Sequence, residues 1–314
     1  MLTRRHVRIK VIQSLYSFFM SKNNDLKKEI HFFNESISNI FELYYFLISL
    51  LITFYKYSNN QIKHLKKAKL DVTKKINNHQ KIKDNIILFL IDKRCKSNKK
   101  KFKEKDEQWE LENKYVKILL DELFKSDFFK KYILIKKPSF KEQKQIILDF
   151  FIEIIAPSNH IFEYVVDKKL TWEDDLPLIN TFIVKQIKSI NLTNKNKIIF
   201  PEITNFKNDI FFGQKLLKIC IKNNDEIIEE LKGKTPNWEI ERITNIDLMI
   251  LNAAIAEILH FELIPTKVSI NEYIEISKDY STPKSNIFIN GVLDKLVKEF
   301  QLENRLNKVG RGLI

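Results

Sequence analysis

Apolar positions recur along this chain at helical spacing, with few breaks between the recurrent stretches. The first pattern runs from about Arg4 to Met20. Val7, Val11, Leu15 and Phe18 make one row, with Ile9, Ile12, Tyr16 and Phe19 beside it. A stripe that wide predicts a helix packed on two sides, and Thr3 is placed to cap it. Ile30 to Tyr57 reads as a second helix that turns from amphipathic to fully apolar. Ser58 to Lys83 is polar and Lys-rich, with Ile62, Leu65, Leu70, Val72 and Ile76 as weak anchors, which predicts a helix with a solvated face. Ile86 to Leu90 resumes the core pattern. Residues 93–106 form a basic run with almost no apolar anchor and read as a flexible loop. Helical spacing returns over Glu107 to Lys131, Lys141 to Ile155 and Leu178 to Ile190, and a polar linker covers Asn191 to Lys197.

The last third is the most regular. A helical pattern opens at Trp238 and carries Leu248, Leu251, Ile255 and Ile258 as its apolar stripe, with Ala253 and Ala254 allowing a close neighbour. Pro265 ends the linker that follows, and Thr266 can cap a helix to Lys278. Thr282-Pro283 predicts the next helix start, because proline at the first helical position loses no intrahelical bond. Ile289, Leu293, Leu296 and Phe300 then share one face. Asn290-Gly291 lies inside that helix, where glycine costs ~1 kcal/mol relative to alanine, so close packing or function is expected to compensate. Three short helices joined by Pro-bearing turns make a compact bundle.

Length and composition narrow the class. The chain has 314 residues, room for two domains or one with a large insertion. Only 5 Gly and 7 Pro argue against a turn-rich β architecture and for an all-α protein. Cys95 and Cys220 are isolated, with no metal-ligand spacing, which implies a reducing compartment. The N-terminus lacks the continuous apolar core of a secretory signal, and the most apolar run, Leu43 to Phe54, falls short of the ~20 residues that span a bilayer. A cytoplasmic protein with no membrane partner is expected.

A net charge of +14 suits a polyanion-binding protein, although Lys, Asn, Ile and Phe are abundant throughout and a purely compositional origin stays open. Position is more informative than number. Arg4, Arg5, Arg8 and Lys10 fall in the first turns of the first helix, and no acid precedes Asp25. Cations there oppose the helix dipole by roughly 0.3–1 kcal/mol each, so helix stability does not explain them. Two readings stay open, a solvated basic tail and a phosphate-binding patch, for which the planar guanidinium fork suits phosphate oxygens.

Catalytic chemistry is not legible. The six histidines show no HExxH or other ligand spacing, and there is no GxxxxGK[ST], GxGxxG or GxSxG. Glu229-Glu230 and Asp174-Asp175 read as solvated faces or caps, and His260, near a helix end, as a surface or satisfied histidine. No catalytic, metal or cofactor site is expected.

The run Ile264-Pro-Thr-Lys-Val-Ser-Ile-Asn-Glu272, then Glu275-Ile-Ser-Lys278, then Phe288-Ile-Asn-Gly-Val-Leu-Asp-Lys295 resembles the C-terminal half of the NusB family of bacterial transcription antitermination factors. The resemblance covers about Phe206 to Lys298 and resumes at the N-terminus with Arg4-Arg5-x-x-Arg8 and Gln13-Ser-Leu-Tyr16. It implies an all-α, NusB-like fold of two helical bundles with extra helices in the N-terminal half. Residues 1–205 would hold the family's first helix plus an inserted helical region, 206–304 the C-terminal core, and 305–314 a basic tail. It also implies a non-enzymatic protein that binds boxA-containing ribosomal-RNA leader RNA with NusE, a small-subunit ribosomal protein, and joins the RNA polymerase antitermination complex.

The RNA surface so implied combines Arg4, Arg5, His6, Arg8, Gln13 and Tyr16 with Lys284, Ser285, Phe288 and Asn290. The arginines would neutralise phosphates, and an exposed aromatic would stack on an unpaired base, worth roughly 1–3 kcal/mol. Tyr16 also has a core reading, and Asn290-Gly291 a packing reading. Lys284 departs from many relatives, which carry an acid there. NusE is expected on the Trp238 to Phe261 helix and its neighbours. Three alternatives stand beside this one: a helical protein–protein adaptor with a compositional charge, the RNA-binding domain of an RNA methyltransferase, and a self-associating scaffold. The second requires a following Rossmann-type domain, whereas the sequence ends at Ile314. The oligomeric expectation is a monomer or homodimer.

Overall fold

The computed structural model describes residues 1–22, 25–67, 73–191, 199–232 and 243–309, and every regular element among them is helical. In chain order these are α1 (Arg4–Met20), α2 (Leu26–Lys67), α3 (Thr73–Lys83), α4 (Ile86–Lys96), α5 (Lys99–Leu111), α6 (Asn113–Lys125), α7 (Asp127–Leu134) and α8 (Phe140–Asp149). A π-helical turn, Phe150–Ile155, extends α8. Then come α9 (Asn159–Lys168), α10 (Leu176–Ser189), α11 (Lys207–Lys222), α12 (Asn224–Leu231), α13 (Asn245–His260), α14 (Thr266–Tyr280) and α15 (Ser285–Leu302). The chain divides into two compact units, residues 2–38 with 203–314 and residues 39–202 with Met1.

The first of these units is built around α13. Its residues from Met249 to Ile258 are all buried, and Ala253, Ala254 and Ala256 expose nothing, so α1, α11, α14 and α15 can pack against it. A helix apolar on all sides belongs in a core. The Thr244 hydroxyl caps it by accepting the Asp247 N–H at 3.2 Å. Gly213 of α11 is a point of close approach, where an added Cβ would lie 2.6 Å from Val7 and 2.4 Å from Phe33.

The second unit is organised on the apolar length of α2. Tyr44, Phe46 and Phe54 are fully buried there. Trp109 stacks on Phe46 at 4.4 Å and its indole N–H donates to the Phe46 carbonyl at 2.8 Å. Trp172 donates in the same way to the Asn39 carbonyl at 2.9 Å. By length and hydropathy α2 is a candidate membrane span, but 83% of its most apolar window is buried within the fold, which marks a core helix.

Several expectations from the pattern change here. Residues 93–106 are helical across most of their length, because Phe102 and Trp109 of α5 are both buried and anchor a stretch that otherwise looks solvated. The second helix continues past Tyr57 to Lys67. Glu107 to Lys131 is divided among α5, α6 and α7, with Ser126 capping α7 through the Phe129 N–H at 3.3 Å. The last helix starts at Ser285, after a turn in which the Thr282 carbonyl accepts the Ser285 N–H at 2.9 Å, and not at Pro283. Pro265 occupies the cap position that Thr266 was expected to fill. The pattern from Trp238 to Arg242, linker residues 192–197, the anchors Leu70 and Val72, and tail residues 310–314 lie outside the described residues.

Candidate nucleic-acid interface

The N-terminus of α1 is held by a local cap. The Thr3 N–H donates to His6 Nδ1 at 3.1 Å, and the Thr3 hydroxyl lies 2.7 Å from the same nitrogen. A nitrogen that accepts a backbone N–H carries no proton, so the imidazole is neutral with its proton on Nε2. Burial is the main reason its pKa drops to about 4, with the Arg5 and Lys10 charges acting in the same direction.

Three arginines leave this turn, and each meets a carboxylate. Arg8 points inward, its side chain 3% exposed, and grips the fully buried Glu257 of α13 through Nε and Nη2, both at 2.7 Å. Ser269 Oγ at 2.7 Å and Tyr273 OH at 3.0 Å donate to the same carboxylate, so α1, α13 and α14 share one network. The Arg8 guanidinium also lies over the Phe212 and Tyr273 rings, 5.3 and 5.8 Å from their centroids. Burial works against the Arg8 charge, but the Glu257 hydrogen bonds outweigh it and raise its pKa. Burial pushes the Tyr273 phenol well up, with the Glu257 charge adding to it.

Arg5 is partly exposed and holds Glu272 of α14 by a fork, Nε at 3.0 Å and Nη2 at 2.8 Å. Those bonds lower the Glu272 pKa and leave the Nη1 edge of Arg5 for another acceptor. Arg4 is the most open of the three, its side chain 52% exposed, with a long 3.4 Å contact to Asp209 and the Phe212 ring 5.3 Å away.

These side chains line two open clefts within the same unit. One, of about 590 Å³, is bounded by Thr3, Arg4, Arg5, His6, Arg8 and Glu272 against Leu263 to Pro265 and Val268. The other, of about 410 Å³, has Phe211, Phe212, Lys215, His260 and Phe261 in its wall. Arg4, Leu263 and Ile264 line both. Phe211 and Leu263 are largely exposed, 67% and 83%, and Lys215 sits beside the Phe261 ring at 4.9 Å. Reading the sequence alone missed these three. A signal existed: successive residues on a helix point about 100° apart, so Phe211 and Phe212 cannot both face the core.

Of the remaining expected residues, Ser285 sits at the other end of α13. Ser285 is buried, and its hydroxyl donates to Asp247 at 2.8 Å while Ser281 and Thr282 hydroxyls contact it at 3.0 and 2.8 Å. Asp247 and Glu257 are ten residues apart on one helix, so the Ser285 and Arg8 contacts are separated by roughly 15 Å along it. Arg8 and Ser285 are both buried, with their polar atoms engaged by Glu257 and Asp247. Lys284 is exposed, and Phe288, Asn290 and Gln13 are half-buried. Asn290 Nδ2 contacts Asp294 at 3.3 Å. Tyr16 is 42% exposed, which answers its core reading. Gly291 has no atom within 4 Å of where a Cβ would stand, so close packing is not what keeps it glycine.

Comparison with known proteins adds an independent line. The NusB family model matches residues 183–298. The transcription antitermination protein NusB of Salinibacter ruber is 46% identical over 103 residues, 33% of this chain and 64% of that protein. Its counterpart in Chloroherpeton thalassium is 43% identical over 100 residues, 32% of this chain and 47% of that protein. That of Finegoldia magna is 41% identical over 92 residues, 29% of this chain and 67% of that protein. The chain thus spans less than two thirds of the first two relatives and two thirds of the third. No solved structure matches the chain.

Proposed function

Because the chain belongs to the NusB family, we propose that it is a non-enzymatic transcription antitermination factor of the cytoplasm that binds boxA-type RNA of ribosomal-RNA transcripts. In this reading it binds with NusE and joins the RNA polymerase antitermination complex. The observation that carries it is the pair Arg4 and Arg5. They stand at a helix N-terminus whose dipole they oppose and line one open cleft, and Arg4 also lines the adjoining cleft that holds the exposed Phe211. Arg4 and the Nη1 edge of Arg5 supply donors for phosphate oxygens, and Phe211 supplies a stacking face for an unpaired base. Exposed Lys284, which adjoins Ser285 at the other end of α13, gives an extended strand a second point of contact.

The test is affinity for a boxA RNA against a scrambled RNA, with and without NusE, for the wild type and for Arg4→Ala/Arg5→Ala. Preference for boxA, increased by NusE and lost in the variant, is the expected result. Arg8 is left intact because its removal would report on folding. One observation favours a second reading: each of the three arginines is paired with a carboxylate, so their charges are already compensated within the fold. A protein–protein adaptor would look the same. Binding that is indifferent to RNA sequence, to salt and to the Arg4/Arg5 variant would favour the adaptor, since phosphate contacts weaken steeply with salt.

A further inference from the structure

The chain's positive charge is concentrated in one stretch. Residues 56–101 carry fifteen Lys and Arg against three acids, while the rest of the chain carries 39 against 37. A uniform compositional bias does not produce that contrast. Lys63, Lys66 and Lys67 of α2, Lys74 and Lys75 of α3, and Lys93 of α4 are exposed, and none of the six is in an ion pair among the described residues. Lys74 and Lys75 sit in the first turn of α3, which has no acid, and so oppose its dipole. Lys63 and Lys67 repel each other at i,i+4 spacing. Folding gains nothing from this arrangement, whereas a bound polyanion would.

The helices that bear these cations lie together. α3 returns along α2, with His79 Nδ1 3.1 Å from Ser58 Oγ and its ring next to Tyr57. α4 flanks α2 as well, since the charges of Asp92 and Lys96 act on the Tyr55 hydroxyl. Lys101 Nζ reaches Tyr45 OH at 3.3 Å. From Tyr45 to Lys67 along α2 is roughly 33 Å, a path suited to an extended chain. Phe89 is 44% exposed and lies on one face of α4 with Lys93 and Lys96, at i+4 and i+7. An exposed aromatic in line with cations serves a stacking base, and neither an acidic protein nor a lipid headgroup needs one.

We propose that this surface binds the backbone of single-stranded RNA without reading its sequence, with Phe89 stacking on an unpaired base. The proposal goes beyond the boxA reading and rests on it only for the choice of RNA as the polyanion. The probe is an oligouridine of about 20 nucleotides, long enough for the site sizes such grooves cover. The full chain is compared with Lys63→Gln/Lys66→Gln/Lys67→Gln/Lys74→Gln/Lys75→Gln and with Phe89→Ala, helicity being checked by circular dichroism. Between about 50 and about 200 mM salt the wild type should lose about a hundredfold more affinity than the five-lysine variant, as five fewer phosphate contacts imply. Phe89→Ala should cost about tenfold. The Arg4→Ala/Arg5→Ala variant should keep oligouridine binding while losing boxA preference, which separates a failure of this proposal from a failure of the boxA reading. An unchanged salt dependence in the five-lysine variant would overturn the proposal. So would equal or tighter binding of duplex DNA of the same length, or of vesicles containing anionic lipid.

Discussion

In residues 2–38 with 203–314, Arg4, Arg5 and Arg8 each face a carboxylate, whereas in residues 56–101 Lys63, Lys66, Lys67, Lys74, Lys75 and Lys93 face none among the described residues. The paired arginines are oriented in advance, through a fork on Glu272 and another on Glu257. Unpaired lysines on the outside of helices are mobile point charges with no preferred geometry. The first arrangement suits a ligand whose shape is to be recognised, the second a ligand recognised only by its charge. The two proposed surfaces thus differ in how their cations are held, and their surroundings make that difference.

The largest effect that tests this contrast is expected at Arg8. Replacing it with alanine leaves the Glu257 charge buried and uncompensated, so stability should fall by about 3–5 kcal/mol in a denaturant titration. A loss below about 1 kcal/mol would mean that the pair is wetter than it looks. Next, Gly291→Ala should raise stability by about 1 kcal/mol, because the site is open and a mid-helix glycine is the poorer helix former. If RNA affinity drops at the same time, the bare backbone is kept for the ligand. Arg5→Ala, a half-exposed pair, should change stability by less than about 1 kcal/mol yet weaken boxA binding, so the split between the two readouts sharpens the comparison with Arg8.

The smallest effect is a pH dependence at His6. Its folded pKa, about 4, lies below the ordinary 6.5, so the unfolded chain takes up the proton first. Its contribution to stability is therefore complete above 6.5, declines as pH falls toward about 4, and levels off below. In His6→Ala that slope should be missing from a plot of unfolding free energy against pH.

Much of the fold was legible because the 3.6-residue period runs nearly unbroken. Helix α1 starts at Arg4 as its pattern predicts, and α13 and α14 carry the expected apolar faces. What failed was whatever depended on a distant partner. Arg4, Arg5 and Arg8 look alike in sequence, yet Arg8 turns inward because of a glutamate 249 residues away. The helix over residues 99–111 was hidden because its anchors, Phe102 and Trp109, are a full two turns apart amid lysines and acids. Ser285 looked like a surface donor, but Asp247 takes its hydroxyl.

The Arg8–Glu257 contact also sets an order of events. A ribosome adding about 5–20 residues per second needs on the order of 10–50 s to travel from Arg8 to Glu257. During that interval α1 has emerged without the helix it is built to pack against, while residues 39–202 are already complete in one continuous piece. The helices of residues 39–202 therefore have the first opportunity to fold. The unit of residues 2–38 and 203–314 closes last, when α13 arrives and the waiting arginine finds its acid.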